Sequence, residues 1–173
     1  MNEQKTGKSK LDKGIFRAVK KDGTVYYRAS LTYRGKHISL GSYRDAGQAH
    51  SAYEEGIRLL NDSSLSLKSY RETSSLSFEK WVCLLNFRDN GIYLGNPIYM
   101  GQQLFYYYLT PHHVLKFDLE DLFYYSSHKI MRRGNHYFVS DYGMQLTLTS
   151  RYGIKSYAVP VSYTHLRAHE TLS

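Results

Sequence analysis

Residues 14–62 read GIFRAVKKDGTVYYRASLTYRGKHISLGSYRDAGQAHSAYEEGIRLLND, and the fold follows from how this stretch is divided. Residues 15–20 can form a strand, and Lys21-Asp22-Gly23 supplies a glycine-containing hairpin turn. Residues 24–33 are rich in Tyr, Val, Thr and Leu, which suit a pleated, half-buried surface, so this run is the central strand. Arg34-Gly35 turns the chain again, and residues 36–42 form a third strand. Side chains alternate across a strand. Val25, Tyr27, Ala29 and Leu31 therefore share one side of the central strand, and Tyr26, Arg28, Ser30 and Thr32 share the other. On the third strand Ile38 and Leu40 point one way, His37 and Ser39 the other. One face of the sheet is apolar and its opposite is polar to basic.

A helix follows. Asp45 is a good N-cap, and the helical pattern runs to about Asn61. Ala46, Ala49, Ala52, Tyr53 and Gly56 fall on one stripe, extended by Leu59 and Leu60. Small residues on that stripe let the helix axis come close to the sheet, while Glu54 and Glu55 are expected to look outward. The expected fold class is α+β: a three-stranded antiparallel sheet packed on one C-terminal helix, with the far side of the sheet open.

Charge is distributed unevenly around this unit. The chain of 173 residues carries a formal net charge of +8. Residues 1–44 hold 11 basic and 3 acidic side chains, whereas residues 45–173 hold 12 of each. The whole excess therefore sits on an N-terminal arm, residues 1–13, and on the small sheet. A flat cationic sheet suits a polyanion, and double-stranded DNA is the commonest one. The arm is read as disordered, with lysines able to lie along a phosphate backbone.

Once its residues are set out, the stretch resembles the ethylene-response-factor type of DNA-binding domain, the APETALA-two family, in a compact form. The resemblance is carried by Gly14-Ile15, Tyr27-Arg28-Ala29, Gly35-Lys36, Leu40-Gly41-Ser42-Tyr43, and Ala46, Ala49 and Ala52-Tyr53 on the helix. It implies a sheet that reads the major groove, with Tyr26, Arg28, Ser30, Thr32, His37 and Ser39 in the DNA-facing slots. It implies phosphate contacts from Lys20, Lys21, Lys36 and Arg17. His37 and Ser39 stand where plant members of the family carry Arg and Trp, so the plant target sequence does not transfer.

The second half opens after a Ser-rich stretch, residues 63–77, that reads as a linker in which Leu65, Leu67 and Tyr70 remain able to pack. Residues 78–87 read as a helix, residues 91–101 as a Gly- and Pro-containing loop, and residues 102–108 as an aromatic run. A short helix is expected over residues 119–125 and strands over 128–131, 136–140 and 144–148. Residues 78–160 are thus expected to form a second, small and incomplete α+β domain. Residues 115–159 are similar to the front part of HNH-type homing endonucleases, through Phe117, Asp118 and Asp121, a Tyr-rich strand and Ser150-Arg151. In that family the residue before the Arg is a histidine general base. A serine hydroxyl cannot take a proton near neutral pH, so Ser150 fails the chemistry. No catalytic residue is assigned.

Residues 161–171 read VSYTHLRAHET, which resembles the conceptual translation of a transposase adapter. Residues 161–173 are therefore read as a non-native tail, with Pro160 at the junction and a reading frame that continues elsewhere. On that reading His165, Arg167, His169 and Glu170 carry no function. The remaining histidines, His112, His113, His128 and His136, lack a recognised ligand spacing, so no metal and no cofactor is expected. Arg132-Arg133 reads as a solvated hairpin turn, and the Tyr-rich runs read as core or subunit contact.

The single cysteine, Cys83, is expected in the core and excludes an internal disulfide framework. No apolar run approaches membrane-spanning length, and residues 1–13 lack the apolar segment of a secretory signal. The expected setting is cytoplasmic, at the nucleoid in a prokaryote or phage and nuclear in a eukaryote. The expected partner is double-stranded DNA, with no membrane and no small-molecule substrate. The sequence leaves the oligomeric state open. Two alternatives stand beside this reading: a truncated HNH homing-type endonuclease that carries the module, and a sheet that binds RNA or an acidic protein.

Overall fold

The computed structural model describes residues 12–141, 144–147 and 169–171. The fold is α+β. The chain divides into two compact units, the first running to Leu65 and including Ser69–Ser77, the second including Ser66–Lys68 and resuming at Phe78.

In the first unit β1 (Ile15–Val19), β2 (Val25–Tyr33) and β3 (Lys36–Tyr43) form an antiparallel sheet in the order β1-β2-β3. The β1–β2 connection closes as a tight turn, with the Gly23 amide donating to the Lys20 carbonyl at 3.0 Å. The Asp22 carboxylate receives the Thr24 amide at 2.9 Å, which holds its pKa below the usual carboxylate value. The β2–β3 connection is a two-residue hairpin in which both Arg34 and Gly35 have positive φ, the mirror-image turn that matches strand twist. Helix α1 (Ala46–Asn61) starts as expected, with the Asp45 side chain accepting the Gln48 amide at 2.8 Å.

Helix α1 buries Ala49, Ala52, Gly56, Leu59 and Leu60, and the sheet buries Ile15, Ala29, Leu31, Ile38 and Leu40. A Cβ placed on Gly56 would lie 2.9 Å from Leu31 Cδ2 and 3.3 Å from Leu40 Cδ1, so the small-residue stripe does seat the helix hard against the sheet.

One feature of the sheet departs from simple alternation. Ala29 pairs with Gly41 but Ser30 pairs with Ser39, so Leu40 is an extra residue, a β-bulge in β3. Beyond the bulge the phase reverses. Ser42 comes opposite Arg28 and Tyr43 opposite Tyr27.

The outward position expected for Glu55 is corrected. Its carboxylate accepts hydrogen bonds from Ser74 Oγ (2.8 Å), the Ser75 amide (2.9 Å) and the Leu76 amide (3.1 Å), and Leu76 is buried. The Ser-rich stretch is therefore more than a spacer, because its last residues are fastened to α1.

The second unit begins with α2 (Phe78–Asn90), longer than the expected helix and buried from Trp81 to Phe87. Cys83 is in the core, as expected, and burial pushes its thiol up to about 11. Strands β4 (Ile98–Met100), β5 (Leu104–Thr110) and β6 (His113–Asp118) form one sheet; β4 falls inside the stretch expected as loop. A 3-10 turn (Leu119–Asp121) leads into α3 (Leu122–Ser127), near the short helix expected there. Strands β7 (Ile130–Arg133), β8 (His136–Asp141) and β9 (Met144–Thr147) make a second sheet in that order. Alternate aromatics of the Tyr-rich runs build the core: Phe105 stacks on Phe117 with ring centres 5.2 Å apart, and Phe117 meets Tyr125 at 4.3 Å. The Tyr107 hydroxyl accepts the Ile130 amide at 2.9 Å, and burial raises its pKa.

Strand β10 (His169–Thr171) pairs antiparallel with the edge of β6 through its backbone, a contact that any extended segment can make with an open sheet edge. Ser150 and residues 161–168, 172 and 173 lie outside the described residues, as do residues 1–11 of the arm.

Candidate nucleic-acid interface

Strand register assigns each candidate residue to a face of the first unit. Across β1 and β2 the pairs are Ile15 with Ala29, Phe16 with Arg28, Arg17 with Tyr27 and Ala18 with Tyr26. Across β2 and β3 they are Arg28 with Ser42, Ser30 with Ser39 and Thr32 with His37. The face turned away from α1 therefore carries four rows in succession: Ala18 with Tyr26, then Phe16, Arg28 and Ser42, then Ser30 with Ser39, and last Thr32 with His37. Arg28, Thr32, His37, Ser39 and Ser42 are exposed on it and Tyr26 is half-buried.

Arg28 occupies the middle of this face. Its Nη2 donates to the Tyr26 hydroxyl at 2.6 Å, and its guanidinium carbon lies 5.4 Å from the centre of that ring. The ring and the hydrogen bond together fix the planar fork. An arginine held this way has already lost much of its rotamer freedom, which lowers the entropic cost of forming further bonds with the remaining N–H groups.

One expected member of the face, Ser30, is withdrawn from it, and Arg17, expected as a phosphate contact, lies off it. Arg17 is exposed but opposes Tyr27, in phase with Ala29 and Leu31, so it projects from the helix side of the sheet. Ser30 has the right phase but is only 7% exposed, because Ser39 and the chain at Gly14 flank it and its amide donates to the Gly14 carbonyl at 2.8 Å. It has no free edge to offer a base.

The expected phosphate ligands lie at the ends of β2. Lys20 and Lys21 are exposed at the β1–β2 turn. Lys36 pairs with Tyr33 at the opposite tip, in phase with the helix side, and is exposed where the hairpin ends. Arg34 shares that tip, its guanidinium carbon 5.0 Å from the Tyr33 ring centre. The nine residues of β2 span about 26 Å at the usual rise of a strand, so cations flank the central Arg28 on both sides at a separation larger than the width of a major groove.

Sequence reasoning missed three residues. Phe16 and Ser42 flank Arg28, and Arg34 stands at the tip. Phe16 was legible in the alternation of β1, counted back through the turn at Lys21-Asp22-Gly23. Ser42 was not, since only the bulge brings it round.

Two histidines of the second unit, His113 and His128, are held by side-chain hydrogen bonds. Arg132 Nη1 lies 3.0 Å from His113 Nδ1, and an arginine can only donate, so Nδ1 is the acceptor and Nε2–H donates to the Tyr137 hydroxyl at 2.7 Å. His128 Nδ1 lies 2.7 Å from the Tyr124 carbonyl, and His112 and His136 are exposed. Arg132 is exposed and also donates from Nε to the Gly134 carbonyl at 2.8 Å, so it braces its own hairpin. Asp121 has its carboxyl raised, by burial first and by Asp118 and Glu120 second. Among the described residues no three His, Cys, Asp or Glu side chains converge on a metal site, and no helix is long and apolar enough to cross a membrane.

Comparison with family models, with curated proteins and with solved structures yields no match to this chain.

Proposed function

We propose that the first unit binds double-stranded DNA, with the open face of its sheet in the major groove, and that the chain acts as a non-enzymatic, sequence-preferring DNA-binding protein of the kind that regulates transcription. The observation that carries this reading is the position of Arg28: central on a face free of the helix, braced on Tyr26, with lysines and an arginine at the two ends of its strand. A guanidinium fork suits the O6 and N7 acceptors of guanine, and the terminal cations suit the phosphates on either side of the groove. The concentration of the formal charge in residues 1–44 supports the same partner.

Selection of bound duplexes from a random pool by the full chain tests the proposal. The expected result is an enriched motif containing guanine, with affinity that falls steeply as salt rises. Equal affinity for single-stranded RNA and duplex DNA of the same length, with no motif enriched, would replace groove recognition by general polyanion binding.

A further inference from the structure

Phe16 is the unexplained residue of the open face. It is 55% exposed on a face that is mostly polar and cationic, and it is paired directly across from Arg28. Isolated exposed apolar residues are common and need no account. Phe16 differs in its company, since Ala18 and the ring of Tyr26 continue an apolar strip on the same face beside the arginine. Val19, the other exposed apolar residue of β1, falls on the opposite face with Ile15 and Arg17 and takes no part.

Resting on the reading of this face as the DNA-contacting one, we infer that Phe16 is a specificity-determining residue that selects thymine, through its 5-methyl group, beside the guanine held by Arg28. Residues directly opposed on neighbouring strands have their Cβ atoms about 5 Å apart, and successive bases on one strand rise by about 3.4 Å, so the two side chains address base edges one or two steps apart. Among the four bases only thymine presents an apolar group in the major groove. A phenyl ring can neither donate nor accept a hydrogen bond. Set against the edge of adenine, guanine or cytosine it displaces water from a polar group and gives nothing in return. Against the thymine methyl it removes two apolar surfaces from water together. Phe16 therefore works mainly by penalising the wrong base, and Arg28 by rewarding the right one.

The test uses the full chain, the best duplex from the selection and its variants. Uracil keeps every hydrogen-bonding group of thymine and lacks the methyl, so replacing the thymine nearest the guanine by deoxyuridine should weaken binding about fourfold. Cytosine there should weaken it about tenfold or more, and 5-methylcytosine should recover part of that loss. Phe16→Ala, a change at an exposed position, should bind the thymine and uracil duplexes equally while keeping the preference for guanine. If the chain enriches a guanine-containing motif but binds thymine and uracil forms alike, or if Phe16→Ala keeps the discrimination, the role given to Phe16 is wrong and the sheet reading stands. If the chain enriches no motif at all, both fall.

Discussion

Gly14 and Tyr53 touch so closely that the glycine has no room for a side chain. A Cβ built on Gly14 would sit inside the van der Waals envelope of the Tyr53 ring and of the Ser30 carbonyl, and the residue has a φ of +81°, a region that favours glycine. Gly14→Ala combines backbone strain with a collision between β1 and α1 at the point where the sheet begins. The expected loss of stability is about 3 kcal/mol, most of the margin of a small unit. Denaturant unfolding should show an earlier midpoint for the first unit, and duplex binding should fail in step with it.

Arg28→Ala removes a surface group and should leave folding intact. Binding to a preferred duplex should weaken by about 1–3 kcal/mol, with one position of the motif relaxed. Lys20→Ala or Lys21→Ala should instead weaken binding to all duplexes alike and lower the slope of log affinity against log salt by about one. Titrations at several salt concentrations separate the two patterns. An Arg28→Ala protein with unchanged affinity and unchanged motif would show that the face was assigned wrongly.

The contrast between the two sets of cations shows how far sequence could reach. Three strands, two turns and a capped helix were legible because each is encoded locally, by β-branched and aromatic runs, by glycine in the turns and by Asp45 one residue ahead of a helical stripe. The bulge at Leu40 was not legible. Nothing in the string Ser39-Leu40-Gly41-Ser42 distinguishes a regular strand from one with an extra residue, and the phase of Ser42 and Tyr43 depends on it. Strand β4, three residues among glycines and a proline, has no local signal and is defined by its partner β5.

Glu55→Ala should release the segment it holds. The Ser75 amide and the Ser74 hydroxyl lose their acceptor and the Leu76 amide keeps only Ser74 Oγ, at 3.1 Å; an unpaired amide in a part-buried place costs about 1–3 kcal/mol. Hydrogen exchange at the Leu76 amide should quicken more than exchange in β2. Limited proteolysis should then cut within residues 74–77. Glu55→Gln, which keeps an acceptor oxygen, should fall between the two.

Tyr43 gives the first unit an alkaline limit. Burial, with the Glu55 carboxylate adding to it, raises the phenol from 10.0 to about 12. The folded state thus holds this proton more tightly than the unfolded chain does. The stability it contributes is complete below pH 10 and is lost as the pH climbs from 10 toward 12. Tyr43 is partly exposed, so the loss is smaller than full linkage would give. Tyr43→Phe should flatten the decline of the unfolding midpoint over that window. The decline of the second unit, where burial likewise holds the Cys83 and Tyr107 protons, should be unaltered by Tyr43→Phe.

Arg34 sits at φ 46°, where a non-glycine residue is uncommon and costs about 1–2 kcal/mol. Its stacking on Tyr33 is exposed and returns about 0.5–1 kcal/mol. Arg34→Asn should therefore raise stability slightly, since asparagine tolerates this conformation, while weakening duplex binding with little change of motif. A variant that gained stability and kept its affinity would show that the tip does not touch phosphate.

The grip of Glu55 on Ser74, Ser75 and Leu76 also decides where the first unit can be cut free. A fragment ended at Asp62, where the helix stops, would strip a helical carboxylate of its three donors and remove the buried Leu76. One carried through to Ser77 keeps both. The practical border of the module lies some fifteen residues past its last regular element.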